Sequence, residues 1–489
     1  MTAQVIQTSR YEIPYDPIQG EYKVVSMYEQ GLLLFRRLEY WKADTLEFIK
    51  LDSSLQETWK ESIGVTKLLK LNSSKSYGGK AYFLFEPSKY FGDFQLFCVR
   101  SDSSTGLVYT IKNVIPFSPT VFEVGHNTAV IAGYYNNIPV AIHFSMVTGQ
   151  SKLLPGFFND PGELNQLSLN QDETIDVIIS KRNAERKRGL WLMRFSSEGQ
   201  QLKSIVINPK SDRNLIFGRA VQVGNDSVLI AGVYGRNPEL SRGIFVATVN
   251  PIGEYTIRYY NFAELKNFFS YMRVARQDRI QERIERKKAK GRKIRFSYRM
   301  AVQELIPYQN QFLLLGEAFY PVYKNSSYST GRYVPYSYYR SYYTGRSQPS
   351  DFTFDGYHYT HAVVLGIAKN GRLLWDNSFE IKEVKSYTLD QYVHRLPGKN
   401  LNLIYSFDNK IFTKIIEGKS VIEGKTVEPM KGKFEGDVIT KNATTNHQLD
   451  YWYENYLLSY GVQEIKNTKT LGVELNRKVF FVSKITVQE

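Results

Sequence analysis

Residues 226–262, DSVLIAGVYGRNPELSRGIFVATVNPIGEYTIRYYNF, decide how the chain is read. They divide into three strands: Val228 to Tyr234, Gly243 to Asn250, and Glu254 to Phe262. The last two are joined by the tight turn Asn250-Pro251-Ile252-Gly253. Val228, Leu229, Ile230 and Ala231 run apolar without alternation, so both faces of that strand need cover. Antiparallel sheets usually wet one face. A small antiparallel unit covered on both faces therefore needs a similar unit stacked on each side.

The rest of the chain supplies such units. Residues 128–135, TAVIAGYY, echo 227–234, SVLIAGVY, and LLLGEAFY (313–320) has the same shape around Gly316. Related openings stand at 32–38, 82–88, 175–181, 401–407 and 455–461. Mid-strand residues Leu33, Phe83, Ile131, Ile178, Ile230, Leu314, Ile404 and Leu457 are 50, 48, 47, 52, 84, 90 and 53 residues apart. A period near fifty predicts an all-β chain folded as one β-propeller of four-stranded blades. Eight blades are expected, with seven as the alternative. Behind most openings lies a turn rich in Gly, Asn, Asp and Ser, and Asn370-Gly371 is the strongest hairpin signal among them. A β-sandwich or a tandem of small β domains would not repeat its turn chemistry six times.

Composition agrees. Of 489 residues 42% are hydrophobic, ample for a core, and no apolar run reaches the length of a membrane-spanning helix. The single cysteine, Cys98, excludes an intramolecular disulfide and a zinc knuckle, and reads as a small buried apolar residue. Residues 1–20 lack a basic start and an apolar core, so no intact signal peptide is expected. Met1-Thr2-Ala3-Gln4 reads equally well as the trimmed remainder of one, which gives the periplasm or cell envelope as the expected location and the cytoplasm as the alternative. Val5 to Ile13 looks like a strand without a partner, and Val479 to Val487 like one short of a fourth. Pairing the two would close the ring and remove exposed edges.

Two insertions break the period. In 263–295, Leu265, Phe268, Phe269 and Met272 recur at helical spacing, with Ile280 and Ile284 further along, which predicts a basic amphipathic helix. From Arg273 to Arg295 eleven Lys and Arg face only Asp278, Glu282 and Glu285, a net of +8. The Glu282–Arg286 and Glu285–Lys288 spacings predict pairs along the helix surface. Arg279, Arg283, Arg286 and Lys287 are the candidate binding residues of this arm, and an acidic partner or an anionic surface is the ligand class. The second insertion, 320–350, holds nine tyrosines, four basic residues and no acid. Tyr with Arg, Ser and Gly is the composition of a contact surface. Arg332, Tyr333, Tyr336, Tyr338, Tyr339, Arg340, Tyr342 and Tyr343 are its candidate partner-binding residues. Together the insertions hold +12 of the +15 formal charge. The ring itself is nearly neutral.

Motifs that carry chemistry are absent: there is no phosphate loop, no Gly-x-Ser-x-Gly and no EF-hand loop. His358 and His361, the only close histidine pair, point to opposite faces of a strand and would not share a metal without a bulge. No cofactor and no metal are expected. Carboxylates from different blades meeting at the ring centre leave a polysaccharide-active hydrolase or lyase as an alternative.

LDSSLQETW ending at Trp59 and AKNGRLLW ending at Trp375 resemble the turn-then-tryptophan signature of quinoprotein-type propellers, which are commonly eight-bladed. The match covers two units well and the others loosely. That family includes quinone-dependent dehydrogenases and a non-catalytic scaffold of the bacterial outer-membrane assembly machinery. The dehydrogenases use a pair of adjacent cysteines, which a chain with only Cys98 lacks, so the resemblance favours the scaffold branch. The Tyr-rich, Lys-rich composition is also similar to large envelope propellers of gliding, protein-secreting bacteria. The resemblance implies a non-catalytic subunit or plug of an outer-membrane secretion or assembly machine. Its expected partners are membrane-associated protein subunits, with an anionic lipid surface as a further candidate and nucleic acid not expected. An anionic-surface or nucleic-acid binder acting through the basic helix is the remaining alternative.

Overall fold

Each apolar opening forms the second strand of its own sheet, and all eight mid-strand residues named above are at most 1% exposed. The computed structural model describes residues 4–41, 44–88, 92–102, 106–156, 160–210, 212–224, 226–237, 239–292, 294–325, 352–443 and 449–488. It contains eight antiparallel sheets, spanning 23–65, 69–111, 118–153, 162–207, 214–261, 299–380, 394–429 and 437–488, hereafter blades one to eight. The chain is an eight-bladed β-propeller. The 226–262 stretch supplies three of blade five's four strands, Ser227–Gly235, Ser241–Val249 and Tyr255–Asn261; Asn214–Val223 is the first.

Period-two alternation explains why the sheets stack into a ring. In strand Lys80–Pro87, Ala81, Phe83 and Phe85 pack toward blade one, while Tyr82 and Leu84 pack toward blade three. Apolar clusters of this kind occupy every boundary between successive blades, including eight to one, where Trp452, Leu458 and Phe480 meet Leu32 and Leu34.

The first strands of neighbouring blades approach one another, so they line the centre, and the fourth strands face solvent. From blade two to blade six each first strand carries a register shift, at Leu71/Ser73, Pro119/Val121, Leu164/Gln166, Leu215/Phe217 and Val302/Glu304. Such bulges re-aim a side chain and free backbone groups. Inner strands are then stitched across boundaries: Asn72 donates to the Pro119 carbonyl, Gln166 exchanges two bonds with Ala220, and Arg219 donates to the Val302 carbonyl.

The ring closes through the termini. Gln4–Pro14 is the outermost strand of blade eight, pairing antiparallel with Asn476–Gln488 from Val5 opposite Val487 to Ile13 opposite Phe480. Arg10 pairs with Glu12, and Arg477 bridges Glu12 and Asp437. Burial opposes the charge on Asp437, but Arg477, the Phe434 N–H and Asn467 outweigh it and hold the carboxyl at about 2.

The two tryptophans of the resemblance act in packing. Trp59 donates to the Ser101 carbonyl of blade two, and Trp375 donates to Gln311 while lying against Gly418 of blade seven.

Deleting Gln4–Pro14 uncovers the edge of Asn476–Gln488 and takes Glu12 from Arg477. Thermal unfolding of the truncated chain is expected at a Tm lower by roughly 10 °C or more. A truncation that melts like the full chain would show that the ring does not depend on this closure.

Candidate interaction site on blade six

Four antiparallel strands per blade fix which loops share a face. The connection between blades and the turn between second and third strands lie on one face, and the other two turns lie opposite. The connection from blade five to six (262–298) and the outer end of blade six's central hairpin, as far as Asn325 and Phe352, therefore share a face. Sequence reading treated these insertions separately; the fold brings them to one place.

The first insertion starts with a capping box: the Asn261 side chain accepts from Ala263 N–H, and Glu264 accepts from Asn261 N–H. Lys266 and Asn267 N–H groups then donate to Asp376 at 2.9 and 2.6 Å, and Ser378 donates to the Asn267 carbonyl. Burial raises the Asp376 carboxyl and these donors lower it, with burial prevailing. Because blade six takes up these backbone groups, 262–273 does not continue as α-helix. The helical spacing of Leu265, Phe268, Phe269 and Met272 marks an apolar plug instead, with Phe262 stacked on Phe268 at 4.4 Å. The helix itself, α1, is confined to Val274–Ala289 and buries only Ile284.

His361 is the keystone of this plug. Its fully buried ring stacks on Tyr271 at 3.7 Å, with Phe268 and Tyr298 edge-on at 5.1 and 5.8 Å. Burial lowers its pKa to about 3, so the imidazole is neutral. A bulge does fall between the two histidines, at the shift from Ala318 to Phe319, yet His358 stacks apart on Tyr320. Among the described residues no group of three potential metal ligands forms.

On blade six's other side, the buried Glu317 accepts from the N–H groups of Tyr392 (2.9 Å) and Val393 (2.6 Å) and from Gln303 (2.9 Å). Burial pushes this carboxyl up to about 7, against the pull of those donors. Glu317 thereby ties the hairpin to the connection entering blade seven.

Above these ties rises a long stem. Gln311–Asn325 and Phe352–Ala368 have 15 and 17 residues and stay paired as far as Asn325 opposite Phe352. Phe354 packs edge-on against Tyr357 (4.9 Å) and Tyr323 (5.9 Å), and Asp355 bridges Lys324 and Lys385. The first six residues of the expected loop, 320–325, are thus strand.

The sequence-derived candidates divide accordingly. Arg332, Tyr333, Tyr336, Tyr338, Tyr339, Arg340, Tyr342 and Tyr343 lie outside the described residues. Arg279, Arg283 and Arg286 are exposed on α1, and Lys287 is half-buried. The expected pairs Glu282–Arg286 and Glu285–Lys288 are not formed: Arg286 donates to the Glu282 backbone carbonyl, and Glu285 accepts from Gln281. Sequence reading missed Glu317, Asp376 and the role of His361, whose partners lie on other elements.

At the ring centre, Glu304 accepts from Gln391 and pairs with Arg395 at 3.2 Å, and Asp450 accepts from Tyr460. Asp390 is exposed at its surface, and desolvation by the surrounding protein, with Asp450 nearby, raises its carboxyl against the hydrogen bond from Thr388.

No protein-family model matches the chain, and no curated protein does. Among solved structures it is similar to the polysaccharide lyase Uly1, at 8% identity over 85% of this chain and 89% of that one, TM-score 0.40. It is similar to quinohemoprotein alcohol dehydrogenase ADHIIG from Pseudomonas putida HK5, at 10% identity over 98% and 76%, TM-score 0.42. A europium-containing methanol dehydrogenase stands at 9% identity over 99% and 93%, TM-score 0.39. None of the three bears on what this chain binds.

His361 gives blade six a pH dependence with a definite sign. Its folded pKa of about 3 lies below its ordinary 6.5, so below pH 6.5 only the unfolded chain takes up the proton. Stability from this group is full above 6.5 and falls as pH drops toward 3, by about 1.4 kcal/mol per unit at most. Glu317, raised from 4.5 to about 7, acts oppositely: its contribution is full below 4.5 and lost as pH rises through 7. Comparing denaturant unfolding of wild type and His361→Phe isolates the first effect. The acid-side loss should be smaller in the variant, and parallel curves between pH 6.5 and 3 would refute the assignment.

Proposed function

We propose that the protein is a non-catalytic propeller that docks on a larger protein assembly, with blade six as its docking element. The observation that carries this reading is the meeting of the two insertions on one face. A paired stem leads into the tyrosine-rich segment, and the insertion that carries the basic helix is fixed at the foot of that stem through Asp376 and His361. An arrangement built only to cover the ring would not need a hairpin paired out to Asn325. Tyrosine and arginine are the residues that most often dominate interface energies. The setting proposed is a bacterial cell envelope, on the compositional likeness described above. The enzymatic alternative would draw on the ring-centre carboxylates, of which Glu304 pairs with Arg395, Asp450 accepts from Tyr460 and Asp390 accepts from Thr388.

The test is capture of partners from native membranes by the full chain. Replacing Tyr336, Tyr339 and Tyr343 by Ser should abolish association and leave Tm unchanged. A lower Tm with association intact would show that the segment is a lid on its own ring. Capture of no partner by the wild type would count against the docking role itself.

A further inference from the structure

The helix α1 carries most of its positive charge on one flank, with Lys287 bordering it and Lys288 on the opposite side. At 100° per residue, Arg276, Arg279, Arg283, Arg286 and Lys290 follow one another in steps of three and four and form a single stripe. All five are exposed. The stripe runs about 21 Å, with one cation per turn. Asp278, Glu282 and Glu285 fall on the other flank, and the row Gln277, Ile280 and Ile284 turns toward the ring. None of the stripe's cations is in an ion pair among the described residues. Of the remaining residues only Asp351 and Glu489 are acidic, so the chain has little with which to neutralise the stripe.

Neighbouring like charges at these spacings repel and weaken a helix. This helix endures them because its seating on the ring, through Ile284 and the aromatic plug, holds it in place. An anionic membrane is a poor match: interfacial helices bury an apolar face in the bilayer, and the apolar row of α1 already faces the ring. A duplex presents one phosphate per ~3.4 Å along each strand, out of step with a cation per ~5.4 Å turn. An α-helix with Asp or Glu at the same three-and-four spacing repeats in step with the stripe.

We infer that the basic flank of α1 is the seat of an acidic α-helix from a partner protein, laid alongside it with one carboxylate per turn. The inference rests on the docking role proposed for blade six and names the chemistry of the partner. The acidic flank repels the same helix from the wrong side, so it fixes where the partner lies.

The full chain is titrated by fluorescence anisotropy with a stapled helix of about 20 residues bearing Glu at the matching spacing. Three comparison probes are used: an isomer of equal composition with its Glu scattered around the helix, a duplex DNA, and phosphatidylserine vesicles. The matched helix is expected to bind about tenfold more tightly than the isomer, with affinity falling as salt is raised. The triple change Arg279→Glu, Arg283→Glu, Arg286→Glu should remove this binding, and the milder Arg→Gln triple should weaken it, both with Tm unchanged. Equal binding of matched and scattered helices, no binding of the matched helix, or tighter binding of duplex or vesicles would overturn the inference. If membrane partners are still captured in that event, only the acidic-helix inference fails and the docking role stands.

Discussion

Everything in this molecule depends on covering both faces of every sheet. A strand whose odd residues are as apolar as its even ones has no face to give to water, and each blade finds its cover only in its neighbours. Phe83 and Phe85 reach one way and Tyr82 and Leu84 the other, from the same strand. Repetition of this pattern around eight blades leaves a single vulnerable boundary, where the ends of the chain must meet. The terminal strand and the Arg10, Glu12, Arg477 and Asp437 cluster occupy that place. Buried ion pairs are weak sources of net stability, but removing one member leaves an uncompensated charge. The cluster therefore specifies how the strand sits more than how tightly.

Blade six shows how an elaboration is fixed to such a ring. Its hairpin is tied on one side by Glu317 to the backbone of blade seven's entry, and on the other by His361 to the aromatic plug. Asp376 holds the start of the insertion in the same way. Glu317 and Asp376 are buried carboxylates whose backbone donors are costly to lose, and His361 is held by ring stacking. The stem is rigid at its base for this reason. At its foot sits a helix with five exposed cations aligned along one flank.

The charge distribution follows from the same division. Most of the formal charge lies on the two insertions, so the ring itself is nearly neutral. A helix crowded with like charges persists because tertiary contacts, not helix propensity, hold it.

The sequence by itself determined the repeating-blade architecture, with eight blades favoured over seven, the closure by the termini and the location of the insertions, because these follow from apolar periodicity and turn chemistry. Those signals are local and survive without knowledge of any partner strand. Tertiary structure alone decided the rest. The inner-strand bulges depend on pairing register, which a single strand does not reveal. The aromatic run 262–272 has helical spacing but gives its backbone donors to Asp376, more than a hundred residues away in the chain. The Glu282–Arg286 pair has the right spacing, yet Arg286 turns to a backbone carbonyl. His361, which the sequence shows only as one of a close histidine pair on opposite strand faces, is a stacked, neutral core ring, because Tyr271, Phe268 and Tyr298 arrive from a distant insertion. Meeting of the two insertions on one face is likewise a consequence of strand direction around the ring, a property of the assembled fold and of no stretch within it.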